Sequence, residues 1–435
     1  MPALPVKTEV DPEKAGKFLY WWLLLALFFE YARPSYQFTF LQPLRLNTLI
    51  PLGLLAVSML SGGQRPWKQI MADRMWIWPF AFVAFVMVSM AWADVKTYTY
   101  NTFTLILGYV FLYLLVVRIV TTRKRLYGVF TTLIISHIFL IFFNPLVIFD
   151  PYTRHYITGA TFLGDGNDFS CSLVILIPFA LELVLNETRK LHKMFYAALL
   201  VAMLLAIIGT QSRGATLGMV AVFGYLWWRS PNKGRGVAVL VIALFGVLLY
   251  APDVYFKRMS TLKDPHQESS AEARLQAWSA GTRMALDNVL GVGAGNFPHN
   301  FPKYRSSNAP VRWMTAHSMY FLALGELGFL GLFFVLWFIF GNVLTSAKLR
   351  THIAKLTTGP PEKVASNVRV LNMMNASLLG LAVAGAFLSV TYYPHLFMVT
   401  GMCIALRCIV ARDFGISPEE SKKKPALRRR PAPVA

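Results

Sequence analysis

The stretch LLAIIGTQSRGATLGMVAVF, residues 204–223, places an arginine between two apolar runs that have almost no loop between them. The flanking runs, 194–210 and 213–229, approach the roughly 20 residues with which a helix crosses a bilayer. Arginine is among the most costly side chains to bring near hydrocarbon. The stretch therefore predicts two membrane-spanning helices joined by a tight hairpin, with Arg213 held at one membrane surface.

Apolar runs of this kind recur along the whole chain. Of its 435 residues 56% are hydrophobic and only 14% are charged, and a soluble protein of this size needs far more surface charge. We expect an all-α, polytopic integral membrane protein. Its predicted spans, about twelve in number, are 18–32, 44–60, 75–93, 99–119, 126–143, 168–186, 194–210, 213–229, 236–251, 317–346, 370–391 and 394–411.

The placement of charge predicts the orientation of the spans. A net charge of +21 would suggest a nucleic-acid partner in a soluble protein. Here the lysines and arginines gather in the N-terminal tail (1–17), in every second loop and in the basic C-terminal tail (412–435). This bias predicts that both termini are cytoplasmic and that no nucleic acid is bound. The C-terminal tail is interpreted as solvated, with contact to anionic lipids as the alternative.

On the opposite side of the membrane the pattern predicts one large loop domain, residues 252–316. It separates the first nine predicted spans, within residues 18–251, from the last three, within residues 317–411. Its segment SSAEARLQAWSAGTRMALDN indicates a helix, because Ser269 and Glu272 form a capping-box pattern. Arg274 precedes Trp278 by four residues, so the two side chains share one side of that helix. The following GVGAGN lacks a preceding strand and a P-loop lysine, which favours a turn over a nucleotide site.

Three side chains on that side are candidates for chemistry: Arg213, Arg274 and His317. Taken singly, each has an ordinary explanation. Arg213 could extend toward lipid headgroups, Arg274 could be an exposed arginine on a helix, and His317 could be a hydrogen-bonded residue at a helix start. Taken together, two guanidinium groups suit a pyrophosphate and an imidazole suits removal of a hydroxyl proton. The predicted reaction is transfer from a lipid-linked pyrophosphate to a hydroxyl group, and the expectation is that it uses no cofactor and no metal.

Three blocks of sequence resemble the signatures of a known family. GTQSRGATLG, ARLQAWSAGTRMALDNVLGVGAGNF and AHSMYFLALGELGFLGLFF look like those of the O-antigen ligase superfamily, which includes O-antigen polymerases and bacterial O-linked oligosaccharyltransferases. The resemblance covers roughly residues 209–336. It implies a GT-C-like glycosyltransferase of the bacterial inner membrane. Such an enzyme moves a glycan from undecaprenyl pyrophosphate to an acceptor on the periplasmic face, with lipid A core oligosaccharide as the preferred acceptor.

The resemblance also implies roles for single residues. His317 stands at the family's general base, and Arg213 and Arg274 stand at its two pyrophosphate-binding arginines. The candidate substrate-binding residues are Arg213, Arg274, Trp278, Arg33 and Arg45. For Arg33 and Arg45, anchoring at the membrane interface is an equally good explanation. The expected partners are the lipid-linked donor, the glycolipid acceptor and the surrounding lipids.

Other ionisable residues in or near the spans are interpreted as structural. Glu326 lies about half a turn round the helix from His317, which favours a buried pairing with a neighbouring span over contact with the histidine. The same interpretation is given to His137 and Glu182, while Asp165 and Asp168 are expected to cap the sixth span rather than bind a cation.

Two other classes of function remain as alternatives. A transporter or flippase places charges near the middle of the membrane, often in repeated halves, whereas this chain gathers its arginines near one surface and has no detectable repeat. A purely structural scaffold explains the spans but not the helix that carries Arg274. Within the preferred family, the sequence does not separate ligase, polymerase and protein O-glycosylation enzyme.

Overall fold

The computed structural model describes residues 16–62, 64–158, 162–234, 236–237, 241, 248–260, 269–306, 313–355 and 360–416. Within these ranges every regular element is a helix. The expected all-α, polytopic membrane fold is therefore confirmed. The predicted ninth span, residues 236–251, falls mostly outside the described residues, as do most of both tails and the side chain of Ser269 in the expected capping box.

Many of the described helices connect through short turns, whereas residues 150–165 form a longer connection between the helices Leu146–Phe149 and Gly166–Asn186. Two 3₁₀ helices, Thr39–Leu44 and Ser89–Ala91, and one π-helical turn, Trp337–Gly341, accompany the α-helices. The α-helices with described bounds are α1 (Lys17–Ala32), α2 (Pro34–Gln37), α3 (Leu46–Leu60), α4 (Trp67–Met71), α5 (Trp78–Val88), α6 (Lys96–Ile119), α7 (Arg123–Phe143), α8 (Leu146–Phe149), α9 (Gly166–Asn186), α10 (Lys190–Gly209), α11 (Arg213–Arg229), α12 (Asp253–Ser260), α13 (Ser269–Asp287), α14 (Phe297–Tyr304), α15 (Met319–Leu336), α16 (Asn342–Lys355), α17 (Pro361–Gly385) and α18 (Pro394–Asp413).

Eight helical segments of the described chain are long and apolar enough to cross a membrane. They are Thr39–Leu60, Lys96–Ile119, Arg123–Phe143, Gly166–Asn186, Lys190–Gly209, Met319–Lys355, Pro361–Gly385 and Pro394–Asp413. Three further predicted spans correspond to shorter helices, α1, α11 and Trp78–Ala91. The count of about twelve spans therefore stays a prediction.

Helices α9, α11 and α17 pack against one another within the bundle. α17 packs along both α9 and α11. Two glycines permit this close approach, because a Cβ at Gly218 would lie 3.1 Å from the Cβ of Ala384 and a Cβ at Gly380 would lie 2.8 Å from Val222 Cγ2. Small residues at such crossings let membrane helices pack through van der Waals contact, which is the main source of their association in lipid.

The predicted span over 317–346 falls largely within the candidate span Met319–Lys355, but it is not one continuous α-helix. Gly328 interrupts α15 with φ 64° and ψ −159°, a conformation that favours glycine, and the chain then passes through the π-helical turn. A side chain at Gly328 would collide with the carbonyl of Val289, which accepts a hydrogen bond from the Phe329 N–H at 3.3 Å. The break therefore lets the end of the α13 segment approach the middle of α15.

The loop domain is docked onto the bundle rather than extended from it. Helix α13 packs along α15. Asn296 accepts a hydrogen bond from the Val95 N–H at 2.9 Å and donates one to Thr99 Oγ1 at 3.0 Å, so the loop is also fastened to the start of α6. Lys303 forms an exposed ion pair of 2.7 Å with Asp94, which lowers the pKa of that carboxyl group. These contacts fix the orientation of the loop helix against the bundle.

Several buried polar and charged side chains of the described helices pair with one another. Arg407 forms two hydrogen bonds with Asp73, at 2.7 and 3.0 Å, and both groups are buried. Arg369 Nε contacts Glu182 Oε2 at 2.8 Å, and His137 Nε2 lies 2.5 Å from Ser172 Oγ. Leaving one member of such a pair alone in an apolar interior is strongly unfavourable. Glu182 and His137 thus each have a polar partner on another helix.

Candidate functional site

The hairpin between α10 and α11 is as short as its sequence predicted. Helix α10 ends at Gly209 and α11 begins at Arg213. Gln211 turns the chain with a positive φ of 52° and its side-chain amide donates a hydrogen bond of 2.9 Å to the carbonyl of Pro151. Ser212 then caps α11, with its hydroxyl accepting from the Ala215 N–H. This arrangement buries Arg213 as the first residue of α11.

Arg213 and Arg274 line one cleft. Its empty space, including the open mouth, is about 250 Å³. A third arginine, Arg258 of α12, also lines it. The full lining consists of Asn167, Ser212, Arg213, Gly214, Arg258, Arg274, Phe387 and Leu388. Three guanidinium groups from a hairpin and two loop helices therefore surround a single small volume.

Helix N-termini add to the positive potential of this cleft. Ser212, Arg213 and Gly214 are the cap and first two residues of α11, and Asn167 lies in the first turn of α9. The N-terminal end of a helix carries a partial positive charge and presents backbone N–H groups, both of which favour anions. The cleft is thus suited to bind a compact, multiply charged anion such as a phosphate or pyrophosphate.

His317 lies two residues before α15 begins and is not among the residues that line this cleft. It adopts a positive φ of 46°, a conformation that costs roughly 1–3 kcal/mol for a residue with a side chain. Burial and the positive charge of Arg274 lower the pKa of His317, while the negative charge of Asp165 raises it. The imidazole is therefore within electrostatic reach of one cleft arginine and of one carboxylate.

Trp278 does not line the cleft, and its side chain instead packs against the segment around His317. Its indole Nε1 donates a hydrogen bond of 3.0 Å to the carbonyl of Ala316, the residue before His317. Its ring stacks on Phe321, with centroids 5.1 Å apart and planes 9° from parallel. Trp278 therefore joins α13 to the segment that carries the histidine.

Arg33 and Arg45 are not brought to the cleft. Arg33 ends α1 and forms an ion pair of 2.6 Å with Glu30. Arg45 is exposed at the start of α3. Both residues have positive φ values, 46° and 45°. These two arginines flank the segment that contains α2 and the 3₁₀ helix Thr39–Leu44, and both substrate binding and interfacial anchoring stay predictions for them.

Glu326 is buried and holds the glycine-rich segment that follows α13. Its carboxylate accepts hydrogen bonds from the N–H groups of Gly295 and Phe297, at 2.7 and 2.9 Å, and from the hydroxyl of Tyr392 at 2.6 Å. Gly291, Gly293 and Gly295 all have positive φ values. The GVGAGN segment is therefore a structural turn, as its sequence indicated. Its Gly295 N–H binds the Glu326 carboxylate, while the N–H groups of Val292 and Gly293 bind backbone carbonyls of α15.

The two aspartates before α9 have distinct contacts. Asp165 is the N-cap and accepts a hydrogen bond from the Asn167 N–H at 2.7 Å. It also forms an ion pair of 3.2 Å with Arg154. Asp168, in the first turn, accepts a hydrogen bond from the hydroxyl of Tyr393 at 2.8 Å. These contacts give both aspartates roles at the start of this helix.

Several residues of the cleft were missed by sequence reasoning. Arg258 lies in an ordinary polar stretch, PDVYFKRMS, in which no pattern distinguishes it from its neighbour Lys257. Phe387 and Leu388 follow α17, about 70 residues after the histidine, and look like part of an apolar span. Their role in the lining depends on how α17 packs against α11, which local sequence does not report.

The fold and the cleft together define a multi-pass, all-helical membrane protein with a cationic surface site. Residues 198–336 match the family model described as O-antigen ligase, about a third of the 435-residue chain. This domain match supports the O-antigen ligase superfamily and indicates a function of the O-antigen ligase or polymerase type. No curated protein matches the chain. The matched segment includes Arg213, Arg258, Arg274 and His317.

Proposed function

We propose that this protein transfers a glycan from undecaprenyl pyrophosphate to a sugar hydroxyl, most simply as an O-antigen ligase that acts on lipid A core oligosaccharide. The observation that carries this proposal is the shared cleft of Arg213 and Arg274, with His317 in electrostatic reach of Arg274. A family match over the same residues supports the reaction class.

In the proposed mechanism the arginines and the start of α11 hold the donor pyrophosphate. Arg213 projects from the first residue of α11, while Arg258 and Arg274 approach from α12 and α13. A guanidinium group offers paired N–H donors that match two phosphate oxygens. As the glycosidic bond breaks, negative charge grows on the pyrophosphate, and fixed cations in a partly enclosed cleft stabilise that charge.

His317 is the proposed general base. A neutral imidazole nitrogen accepts the proton of the acceptor hydroxyl while the hydroxyl oxygen attacks the anomeric carbon. The bond from that carbon to the pyrophosphate oxygen breaks, and its electron pair leaves with the pyrophosphate. The lowered pKa of His317 keeps more of the imidazole in the neutral, proton-accepting form near pH 7. A single displacement of this kind inverts the anomeric configuration.

The proposed setting is the bacterial inner membrane, with both termini in the cytoplasm and the cleft on the periplasmic face. The charge bias between successive loops supports this orientation. The cleft lies at the bundle end where α9 and α11 begin and α17 ends, so a lipid-linked donor could keep its polyprenyl chain in the bilayer while its pyrophosphate reaches the arginines.

A transfer assay with purified protein tests the proposal. We expect the detergent-solubilised protein to move glycan from a lipid-linked donor to purified lipid A core, and we expect His317→Ala to lose this activity. His299→Ala is a matched control, because this histidine lies in the loop domain outside the cleft. Undiminished transfer by His317→Ala would contradict the assigned base.

The acceptor is tested with a deletion strain. Loss of all glycan-capped lipopolysaccharide identifies a ligase, whereas capping with single repeats identifies a polymerase. Unchanged lipopolysaccharide together with unglycosylated proteins identifies a protein O-glycosylation enzyme. Vesicle uptake of labelled lipid-linked sugar without any acceptor would instead support a transporter.

A further inference from the structure

The backbone around His317 is held in place by two side chains from different parts of the chain. The N–H of His317 donates a hydrogen bond of 2.9 Å to Ser389 Oγ. The hydroxyl of Thr315 lies 2.9 Å from the same Ser389 oxygen. One residue before the histidine, the carbonyl of Ala316 accepts the hydrogen bond from Trp278. Both polar atoms of the peptide group between Ala316 and His317 therefore have a defined partner.

These hydrogen bonds act on a backbone that would otherwise relax. With φ at 46°, His317 occupies the left-handed region that residues with a Cβ rarely adopt. Such a conformation persists only where surrounding contacts impose it. Ser389 supplies one of these contacts directly, at the N–H of the strained residue, and the direction of the imidazole follows from the backbone at that position.

Ser389 is also directly connected to the cleft. The segment between α17 and α18 contributes Phe387 and Leu388 to the cleft lining, and Ser389 follows them in the chain. Within this segment, positions 387 and 388 contact the cleft of the arginines, and position 389 binds the backbone of the histidine. A shift of this segment would change the distance between the cleft and the imidazole.

We propose that Ser389 is a positioning residue that sets His317 relative to the anion bound in the arginine cleft. This inference rests on the proposed function, since it assigns a purpose to the geometry of the proposed base. Ser389 does not contact the reacting atoms. It acts through the backbone of His317, so its removal changes the alignment of the base while the arginines remain in place to bind the donor.

The purely structural alternative makes a different prediction. Many hydroxyl groups in this bundle bind backbone carbonyls of residues that do not line the cleft. Ser377 of α17 is an example, because its hydroxyl donates a hydrogen bond of 2.8 Å to the carbonyl of Ile175. If Ser389 only stabilised the fold, Ser389→Ala and Ser377→Ala would have similar consequences. A positioning role predicts that Ser389→Ala alone lowers the rate of the chemical step.

The first test is a kinetic comparison of purified variants with lipid-linked donor and acceptor. We expect Ser389→Ala to lower kcat by about 10- to 100-fold while the KM for the donor stays within about twofold, because small misplacement of a catalytic group has effects of this size. Ser389→Thr keeps the hydroxyl group and is expected to restore most of the activity. Ser377→Ala is expected to retain the wild-type kcat. An unchanged kcat in Ser389→Ala would overturn the proposal.

A second test does not depend on glycan transfer. Diethyl pyrocarbonate modifies accessible neutral imidazoles, and the extent of modification at His317 can be read by mass spectrometry of the peptide that contains it. We expect Ser389→Ala to raise the rate of modification at His317 several-fold, with no such change in Ser377→Ala. If the wild-type protein transferred no glycan, the proposed function would fail while this measurement still tested the Ser389 contact. Equal modification in all three proteins would refute the positioning role.

Discussion

The carboxylate of Glu326 accepts a hydrogen bond from the backbone N–H of Gly295, 31 residues earlier in the chain, at a distance of 2.7 Å. This contact joins the middle of α15 to the glycine-rich turn of the loop domain. The same carboxylate accepts from Phe297 and from Tyr392, which precedes α18. One buried acid on α15 therefore binds two segments from separate parts of the chain, the glycine-rich turn and the residues before α18.

We predict that Glu326→Gln destabilises the protein by about 1–3 kcal/mol. The amide NH₂ of glutamine cannot accept a hydrogen bond, so at least one of the buried N–H or O–H groups that now bind the carboxylate would lose its acceptor. Thermal unfolding in detergent, followed by intrinsic fluorescence, measures this loss. Tyr392→Phe removes one of the three donors and is expected to have a smaller effect. A melting temperature for Glu326→Gln equal to that of the wild type would contradict the assigned network.

We predict that Arg213→Lys impairs transfer on the order of 10²-fold, although the positive charge is kept. Lysine cannot form the paired hydrogen bonds of a guanidinium group, and loss of one fixed donor at a developing negative charge has effects of this size. Steady-state transfer rates measure the change. Arg283→Lys is a suitable control, since this arginine lies on α13, the helix of Arg274, but does not line the cleft. Equal losses in both variants would argue against a specific role for Arg213.

Transfer is expected to require neutral His317, so its rate should fall at acidic pH with a midpoint below the usual imidazole value of about 6.5. Arg274 and Asp165 are the charged groups that influence this pKa. Replacing Asp165 by Asn keeps a good helix cap but removes the negative charge that raises the pKa of His317. The midpoint should therefore move to lower pH in Asp165→Asn.

In Arg274→Gln the midpoint of the pH–rate profile should move in the opposite direction, to higher pH, because removal of a positive charge raises the pKa of His317. The profile of kcat/KM against pH reports these values for the free enzyme. Midpoints that do not move in either variant would show that another group controls the acidic limb.

Arg258 is predicted to contribute to donor binding. Arg258→Ala should raise the KM for the lipid-linked donor about tenfold or more, because a charge-assisted hydrogen bond contributes about 1.5–3 kcal/mol. Lys257→Ala is the matched control, since Lys257 is exposed on the same short helix and does not line the cleft. Inhibition by inorganic pyrophosphate gives an independent measurement. Similar KM values in both variants would remove Arg258 from the donor site.

Much of the fold was predictable because its causes are local. The lengths of the apolar runs predicted membrane helices, and the lack of loop residues between 210 and 213 predicted the hairpin of α10 and α11. The helix that carries Arg274 was likewise expected from its sequence. The break in α15 was not predicted, because a single glycine within a long apolar run does not reveal that Val289 approaches it.

The sequence by itself determined that this chain is a multi-pass helical protein and which three residues were worth testing, since hydropathy, charge bias and side-chain chemistry are properties of short segments. Tertiary structure decided which side chains meet. The contributions of Arg258, Phe387 and Ser389 depend on how α12 and the end of α17 lie against α11 and the start of α15. The residue pattern within one segment does not report how that segment packs against distant ones, so these contributions could not be predicted from the sequence.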